Sequence, residues 1–138
     1  YADRYTPLMI GLGVSSISDA WTAFGQNVKT VEEYHSLINK GKFPVFKGHL
    51  LTAEDLVVRQ YILDMMCRGT VNLQVGFSLN EKIISRLQPL LADGLVTVDH
   101  QVVQITAVGK SFLRNVCMAF DERLQKTKDR ENLFSQAI

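Results

Sequence analysis

Cysteines and long apolar runs are scarce in this sequence. Only two of the 138 residues are cysteine, Cys67 and Cys117, and neither lies in a CxxC pair or at metal-ligand spacing from a histidine. This scarcity excludes a disulfide framework and favours two buried free thiols. No apolar run approaches the roughly 18 residues that a membrane span needs, and no signal peptide opens the chain. We therefore expect a cytoplasmic protein without a membrane partner.

An excess of charge of either sign is missing too. Lys and Arg total 15 against 14 Asp and Glu, which gives a formal net charge of +1. Proteins that bind nucleic acids through the phosphates normally show a basic patch or stripe. The balanced charge therefore predicts no nucleic-acid partner. With 46% hydrophobic residues, the chain is long enough for one domain, or one domain and an appendage, with its own core.

Helix starts are the strongest positive signals. A Ser or Thr is followed three residues later by an acidic residue at 30–33, 52–55 and 78–81. Each pattern precedes an apolar periodic segment, as a helix N-terminus does. Gly69 and Gly94 supply stops for the second and third of these helices. We therefore predict three helices between residues 30 and 94.

The segment after Gly94 predicts a β-hairpin and a last helix. The β-prone runs 95–98 and 102–106 are joined by three residues, and the last helix begins after them. Pro89 lies before the hairpin and should kink or split its helix, because proline lacks an N–H. The order helix, helix, two-stranded wing, helix is that of a winged-helix module. The sequence therefore predicts a mainly α fold with a small β-hairpin.

The N-terminal part of the chain is less regular. An apolar run at 5–10 predicts a short strand that ends at Gly11. We interpret residues 15–29 as a loop packed on the body of the protein. The segment 40–51 holds two glycines and a proline, which favours an extended connector.

The stretch IGLGVSSIS at 10–18 raises the question of a phosphate-binding loop. Its Gly11-x-Gly13-x-x-Ser16 spacing is one glycine short of the dinucleotide fingerprint, and no helix follows at once. The residues alone leave two interpretations open. One is a plain glycine turn at a strand end, and the other is a loop whose backbone a ligand approaches closely.

Catalytic motifs are not apparent in the sequence. His35, His49 and His100 fall in a helix, a connector and a hairpin turn, with no nucleophile motif near them. The winged-helix order suggests an alternative function as a free-standing module that binds DNA or a protein. The candidate recognition helix offers only Lys82 and Arg86 as cations. This favours packing against protein over binding to DNA.

Several stretches of the sequence occur together in one known family. They are IGLGVSSIS (10–18), Gln26-Asn27, Lys47-Gly48-His49-x-Leu51 followed by Asp55 and Arg59, LLADGLV (90–96) and, above all, ITAVGKSFLRNVCMAFD (105–121). Together they resemble the C-terminal portion of bacterial oxygen-independent coproporphyrinogen III oxidase, a radical S-adenosylmethionine enzyme also called coproporphyrinogen dehydrogenase. The resemblance covers nearly the whole chain.

The resemblance implies a partial (β/α) barrel that holds a 4Fe–4S cluster on a CxxxCxxC loop, followed by a helical domain of winged-helix character. A radical derived from S-adenosylmethionine takes hydrogen from a propionate. Two oxidative decarboxylations convert coproporphyrinogen III to protoporphyrinogen IX in haem biosynthesis. For this sequence, residues 1–29 correspond to a remnant of the last barrel strand and a connecting loop. Residues 30–138 correspond to the winged-helix-like C-terminal domain.

Carried over residue by residue, the resemblance implies that Ile17 contacts S-adenosylmethionine and that Gly11 and Gly13 shape the turn beside it. It assigns no catalytic residue or metal ligand here, since the chain has no CxxxCxxC motif. We therefore expect a fragment that is inactive and cofactor-free alone, with the N-terminal barrel as its partner and coproporphyrinogen III as substrate of the whole enzyme. Lys47 and Val58 stand where the family more often has arginine, a departure that argues against carrying over an anion contact at these positions.

Overall fold

The structure is a computed structural model that describes residues 6–125. The chain divides into two compact units, one ending at Leu56 and one that begins at Val57. We describe each unit separately. None of the helices within 6–125 is long and apolar enough to cross a membrane.

The first unit is built on an antiparallel sheet of three strands. The strands are β1 (Ile17–Asp19), β2 (Ala23–Asn27) and β3 (Val45–Leu50), and β2 lies in the middle. Helix α1 (Val31–Asn39) connects β2 to β3. A bulge interrupts the register of β2 and β3 after Gln26.

This sheet corrects three of the sequence-based predictions. The remnant of a barrel strand predicted at 5–10 is not formed within residues 6–10, where Met9 makes only an isolated bridge to Asp19. The segments 15–29 and 40–51, interpreted as loop and connector, supply the three strands instead. These strands contain glycine, alanine, glutamine and asparagine, which have low strand propensity, so pairing rather than local preference makes them strands.

The second unit contains the predicted hairpin and helices. The sheet of this unit contains the hairpin strands β5 (Val96–Asp99) and β6 (Val102–Ile105) and a third strand, β4 (Thr70–Asn72), which pairs with β6 and was not predicted. The fold is therefore mixed α/β rather than mainly α. The elements are α2 (Ala53–Arg68), which begins before the boundary, β4 (Thr70–Asn72), α3 (Asn80–Ala92), β5 (Val96–Asp99), β6 (Val102–Ile105), a 3₁₀ turn (Gly109–Phe112) and α4 (Leu113–Phe120).

Two details of these helices differ from expectation. Helix α3 continues through Pro89 to Ala92, so the proline does not split it. Its N-cap position is occupied by Leu79, which has no capping side chain, rather than by the predicted Ser78. The charged end predicted for the last helix lies largely outside the described residues.

One apolar core holds the second unit together. Burying each large side chain of this kind contributes about 1.5–3 kcal/mol. Burial raises the pKa of the Cys117 thiol to about 11, whereas Cys67 is exposed, so only one of the two predicted buried thiols is buried. The core consists of Tyr61, Met65, Val71, Leu73, Ile83, Leu87, Val96, Val103, Ile105, Val116, Cys117, Ala119 and Phe120.

The start of α2 has a reciprocal cap that provides a matched test. The Asp55 backbone N–H donates to Thr52 Oγ1 (3.1 Å), and the Thr52 N–H donates to Asp55 Oδ2 (2.9 Å). Thr30 occupies the N-cap of α1 but makes no side-chain capping bond. We expect Thr52→Ala to lower the free energy of unfolding by about 1 kcal/mol. Urea denaturation measures this loss, and an equal loss in the control Thr30→Ala would contradict the assignment.

Candidate functional site

The glycine stretch forms a tight turn just before β1. Gly13 has a φ of +93° and Ser15 a φ of +59°, both in the left-handed region that glycine adopts most readily. The Ser15 N–H donates to the Val28 carbonyl (2.8 Å), and the Gly13 N–H donates to the hydroxyl of Tyr34 (3.0 Å). The turn is thus tied both to the end of β2 and to α1.

Gly11 is required by a close approach of two backbone segments. A Cβ at this position would lie 2.6 Å from the carbonyl oxygen of Ile17 and 2.9 Å from Cβ of Ser16. The Gly11 N–H also donates to Ser18 Oγ (3.1 Å). Gly11 and Gly13 therefore shape the turn, and their assignment to a cofactor site stays a prediction.

Asn27 is the centre of the turn's hydrogen bonds. Its side chain is buried, and Nδ2 donates to the carbonyl oxygens of both Gly11 (3.1 Å) and Gly13 (2.8 Å). Its backbone N–H donates to the Ser16 carbonyl (2.9 Å). In the sequence Asn27 stands out only as part of the resemblance. No local signal predicts this role, because β2 is not recognisable as a strand from its residues, and the need of a buried amide for partners becomes evident only in the folded chain.

A concavity of about 250 Å³ lies on the sheet beside this turn. Ile17 pairs with Gln26 and Gln26 with Lys47, while Phe24 pairs with His49. Directly opposed residues, and residues two apart on one strand, point to the same face. All five side chains therefore line the concavity, and Ile17 is 53% exposed there.

The polar groups of the concavity are Gln26, Lys47 and His49. His49 Nε2 is buried and has no hydrogen-bond partner among residues 6–125. It lies 3.9 Å from Asp55 Oδ2, which is too long for a hydrogen bond. A small-molecule site usually has a mostly apolar surface and a few polar groups at defined positions. The lining is mostly apolar, so the concavity can accommodate an apolar ring.

The described residues differ in how well they fit the two cofactors that the resemblance implies. Within residues 6–125, no group of three His, Cys, Asp or Glu side chains could hold a metal ion. These residues thus offer no ligand set for an iron–sulfur cluster. The apolar side chains of Ile17 and Phe24 beside polar donors do fit a nucleoside such as the adenosyl group. The structure places Ile17 at the start of β1, directly after the turn that contains Gly11 and Gly13, and the role of the three residues in binding a nucleoside stays a prediction.

Comparison with curated proteins identifies relatives over most of the chain. The oxygen-independent coproporphyrinogen III oxidase of Escherichia coli is 32% identical over 142 residues, covering 94% of this chain and 30% of the relative. That of Thermostichus vulcanus is 33% identical over 147 residues, covering all of this chain and 45% of the relative. The chain therefore spans less than half the length of these relatives. No protein-family model matches it.

A solved structure agrees with the sequence comparison. The chain matches coproporphyrinogen III oxidase from Escherichia coli, described as a radical SAM enzyme, with a TM-score of 0.77 and 29% identity. The match covers 83% of this chain and 28% of that chain. The chain is thus homologous to the C-terminal region of oxygen-independent coproporphyrinogen III oxidase, a radical S-adenosylmethionine enzyme.

Proposed function

We propose that the chain supplies the C-terminal part of an enzyme that oxidatively decarboxylates two propionates of coproporphyrinogen III, giving protoporphyrinogen IX in haem biosynthesis. The observation that carries the proposal is the similarity, over 94% of the chain, to a relative named oxygen-independent coproporphyrinogen III oxidase. The structural match at a TM-score of 0.77 supports it independently of any single motif.

The proposed cofactors of the whole enzyme are S-adenosylmethionine and a 4Fe–4S cluster. When bound, the cluster would supply the electron for cleavage of S-adenosylmethionine to methionine and a 5′-deoxyadenosyl radical. In the proposal, Ile17 contacts the nucleoside, and the turn at Gly11 and Gly13 sets the position of Ile17. The half-exposed Ile17 on the wall of the concavity supports this assignment. The cluster belongs to the N-terminal part of the enzyme.

The proposed partner of the chain is the N-terminal barrel of the same enzyme. The first unit exposes large apolar side chains that an isolated domain would normally bury. Leu12 is 82% exposed and Phe43 is 92% exposed. Packing against a catalytic barrel would remove such surface from water. Leu8, Ile10 and Leu50 are exposed as well.

For the second unit we propose a winged-helix-like architecture, as part of the predicted C-terminal domain at 30–138. The order α2, β4, α3, β5, β6, with β4 paired to the hairpin, supports it. A DNA-binding role for this unit is less well supported. Arg86, one of two candidate cations on α3, is paired with Glu122 at 2.8 Å. Counterion release would therefore add little affinity.

A chimera tests the proposed function. The corresponding C-terminal region of the Escherichia coli relative is replaced by this chain, and conversion of coproporphyrinogen III is assayed without oxygen. We expect turnover by the chimera and none by the chain alone. A folded chimera that contains its cluster but has no activity would count against the proposal. Submicromolar DNA binding that weakens steeply with salt would favour the alternative module.

Ile17→Asp is expected to weaken binding of S-adenosylmethionine by about tenfold or more, because it places a carboxylate against an apolar nucleoside face. Isothermal titration calorimetry on the natural protein that contains this chain measures the affinity. Ile38→Asp is the matched control, since Ile38 is exposed to a similar degree on α1. Unchanged affinity in Ile17→Asp would refute the contact.

A further inference from the structure

We propose that Tyr34 is a positioning residue for the nucleoside site, because its hydroxyl holds the glycine turn that leads to Ile17. The inference rests on the proposed function, in which Ile17 contacts S-adenosylmethionine. Tyr34 does not line the concavity in which Ile17 lies. Its effect on the nucleoside therefore passes through the backbone of the turn rather than through a contact of its own.

The helix that carries Tyr34 packs through a narrow face. Within α1, Tyr34 and Leu37 are partly buried and all other residues are exposed. Residues three apart lie on the same face of a helix. The Tyr34 backbone N–H donates to the Thr30 carbonyl (3.1 Å), so Tyr34 stands in the first turn of α1. The hydroxyl of Tyr34 thus connects the start of this helix to the glycine turn.

One peptide group of the turn connects Tyr34 to the neighbour of Ile17. The N–H of this group, from Gly13, donates to the Tyr34 hydroxyl (3.0 Å). Its carbonyl, from Leu12, accepts the Ser16 hydroxyl (2.5 Å). Ser16 directly precedes Ile17 in the chain. The peptide group is therefore held on one side by α1 and on the other by the residue next to Ile17.

Gly13 is a flexible point that these hydrogen bonds restrain. Its φ of +93° lies in a region that glycine adopts readily, since it has no Cβ, and the same freedom allows the backbone to rotate. Asn27 Nδ2 donates to the Gly13 carbonyl (2.8 Å), while the Tyr34 hydroxyl accepts the Gly13 N–H. The two side chains thus fix the backbone before and after a residue that would otherwise rotate.

The substitution Tyr34→Phe tests the proposal in the natural protein that contains this chain. The variant keeps the aromatic ring and removes only the acceptor of the Gly13 N–H. We expect the affinity for S-adenosylmethionine to fall about fivefold, the effect of one neutral hydrogen bond. In an Ile17→Ala background the same change should have no further effect, because the contact that the turn positions is already lost. Isothermal titration calorimetry measures the four affinities.

Tyr61→Phe is the matched control. The Tyr61 hydroxyl accepts the Gln74 backbone N–H (2.6 Å) in the second unit. This variant therefore also deprives a backbone N–H of a tyrosine hydroxyl, but away from the glycine turn. It should lower the free energy of unfolding in urea and leave the affinity for S-adenosylmethionine unchanged.

The possible outcomes separate the role of Tyr34 from the proposed function. Unchanged affinity in Tyr34→Phe, an equal loss in Tyr61→Phe, or a loss that persists in the Ile17→Ala background overturns the positioning role and leaves the proposed function standing. If Ile17→Ala binds as tightly as the wild-type protein, the Ile17 contact and the role of Tyr34 are both overturned. If the wild-type protein does not bind S-adenosylmethionine, the proposed function is overturned as well.

Discussion

The substitution Gly109→Ala is expected to lower the free energy of unfolding by about 3 kcal/mol. Gly109 begins the 3₁₀ turn that leads into α4. A Cβ at this position would overlap the carbonyl oxygen of Leu95 and lie 2.8 Å from its carbonyl carbon. It would also lie 3.0 Å from a side-chain carbon of Ile105. The alanine can be accommodated only if a backbone segment moves.

That movement is opposed by hydrogen bonds on both sides of the contact. The Leu95 carbonyl accepts the Thr106 N–H (3.0 Å), and the Thr106 hydroxyl donates to the Gly94 carbonyl (2.8 Å) with the Leu95 carbonyl oxygen as a second, longer partner (3.2 Å). The Gly109 N–H in turn donates to Thr106 Oγ1 (3.0 Å). Separating Leu95 from Gly109 would break these partly buried hydrogen bonds. The expected loss of unfolding free energy is therefore at the upper end of the range for adding a single methyl group to a packed site.

Gly94→Ala is the control for this prediction. Gly94 has a φ of +67°, and a Cβ added there would have no other atom within 4 Å. Its replacement should cost only the backbone strain of about 1 kcal/mol. Guanidinium unfolding followed by circular dichroism compares the two variants. A loss in Gly109→Ala no larger than that in Gly94→Ala would show that the close contact is not rigid.

The second large effect is expected at Asn27. Asn27→Asp keeps the shape of the side chain but replaces the Nδ2 donor with an oxygen that faces the carbonyls of Gly11 and Gly13. The variant loses two hydrogen bonds and gains a buried charge without a donor there, at a cost of about 3 kcal/mol. Because the turn lies directly before Ile17, the residue proposed to contact the nucleoside, the proposal predicts weaker binding of S-adenosylmethionine. Denaturant unfolding and calorimetry measure the two effects.

Gln26→Glu is the matched change for Asn27→Asp. Gln26 is adjacent, more exposed, and makes one long bond from Nε2 to the Ser15 carbonyl (3.3 Å). The same replacement of an amide by a carboxylate should therefore cost less than about 1 kcal/mol of unfolding free energy. If Asn27→Asp is as stable as the wild-type protein, the amide does not hold the turn.

The elements that the sequence predicts correctly carry their own local signals. Helix α2 has the cap at 52–55 and ends before Gly69, and the hairpin has two β-prone runs at ordinary spacing. The strands β1 to β3 lack such signals, because residues such as Gly25, Gln26 and Gly48 favour a strand only when neighbours pair with them. The three-residue strand β4 is too short for any periodicity to show.

The candidate site was predictable only in part. Ile17, Gly11 and Gly13 followed from the resemblance to a family, since their spacing alone favoured a plain turn over a ligand loop. The convergence of Lys47 and His49 with Ile17 depends on strand register. A register shift of one residue would move these side chains to the other face. No short stretch of sequence specifies which residues of β1, β2 and β3 are paired.

The dependence of the glycine turn on Asn27 determines how redesign of the chain should proceed. Apolar side chains in the second unit can exchange with others of similar volume at a cost usually below about 1.5 kcal/mol, so that core has many workable combinations. Asn27 has no such equivalents. Among the genetically encoded residues only glutamine also offers an amide, and it is one methylene longer. A library that varies the core while keeping position 27 fixed should therefore yield many folded variants in which the turn is intact.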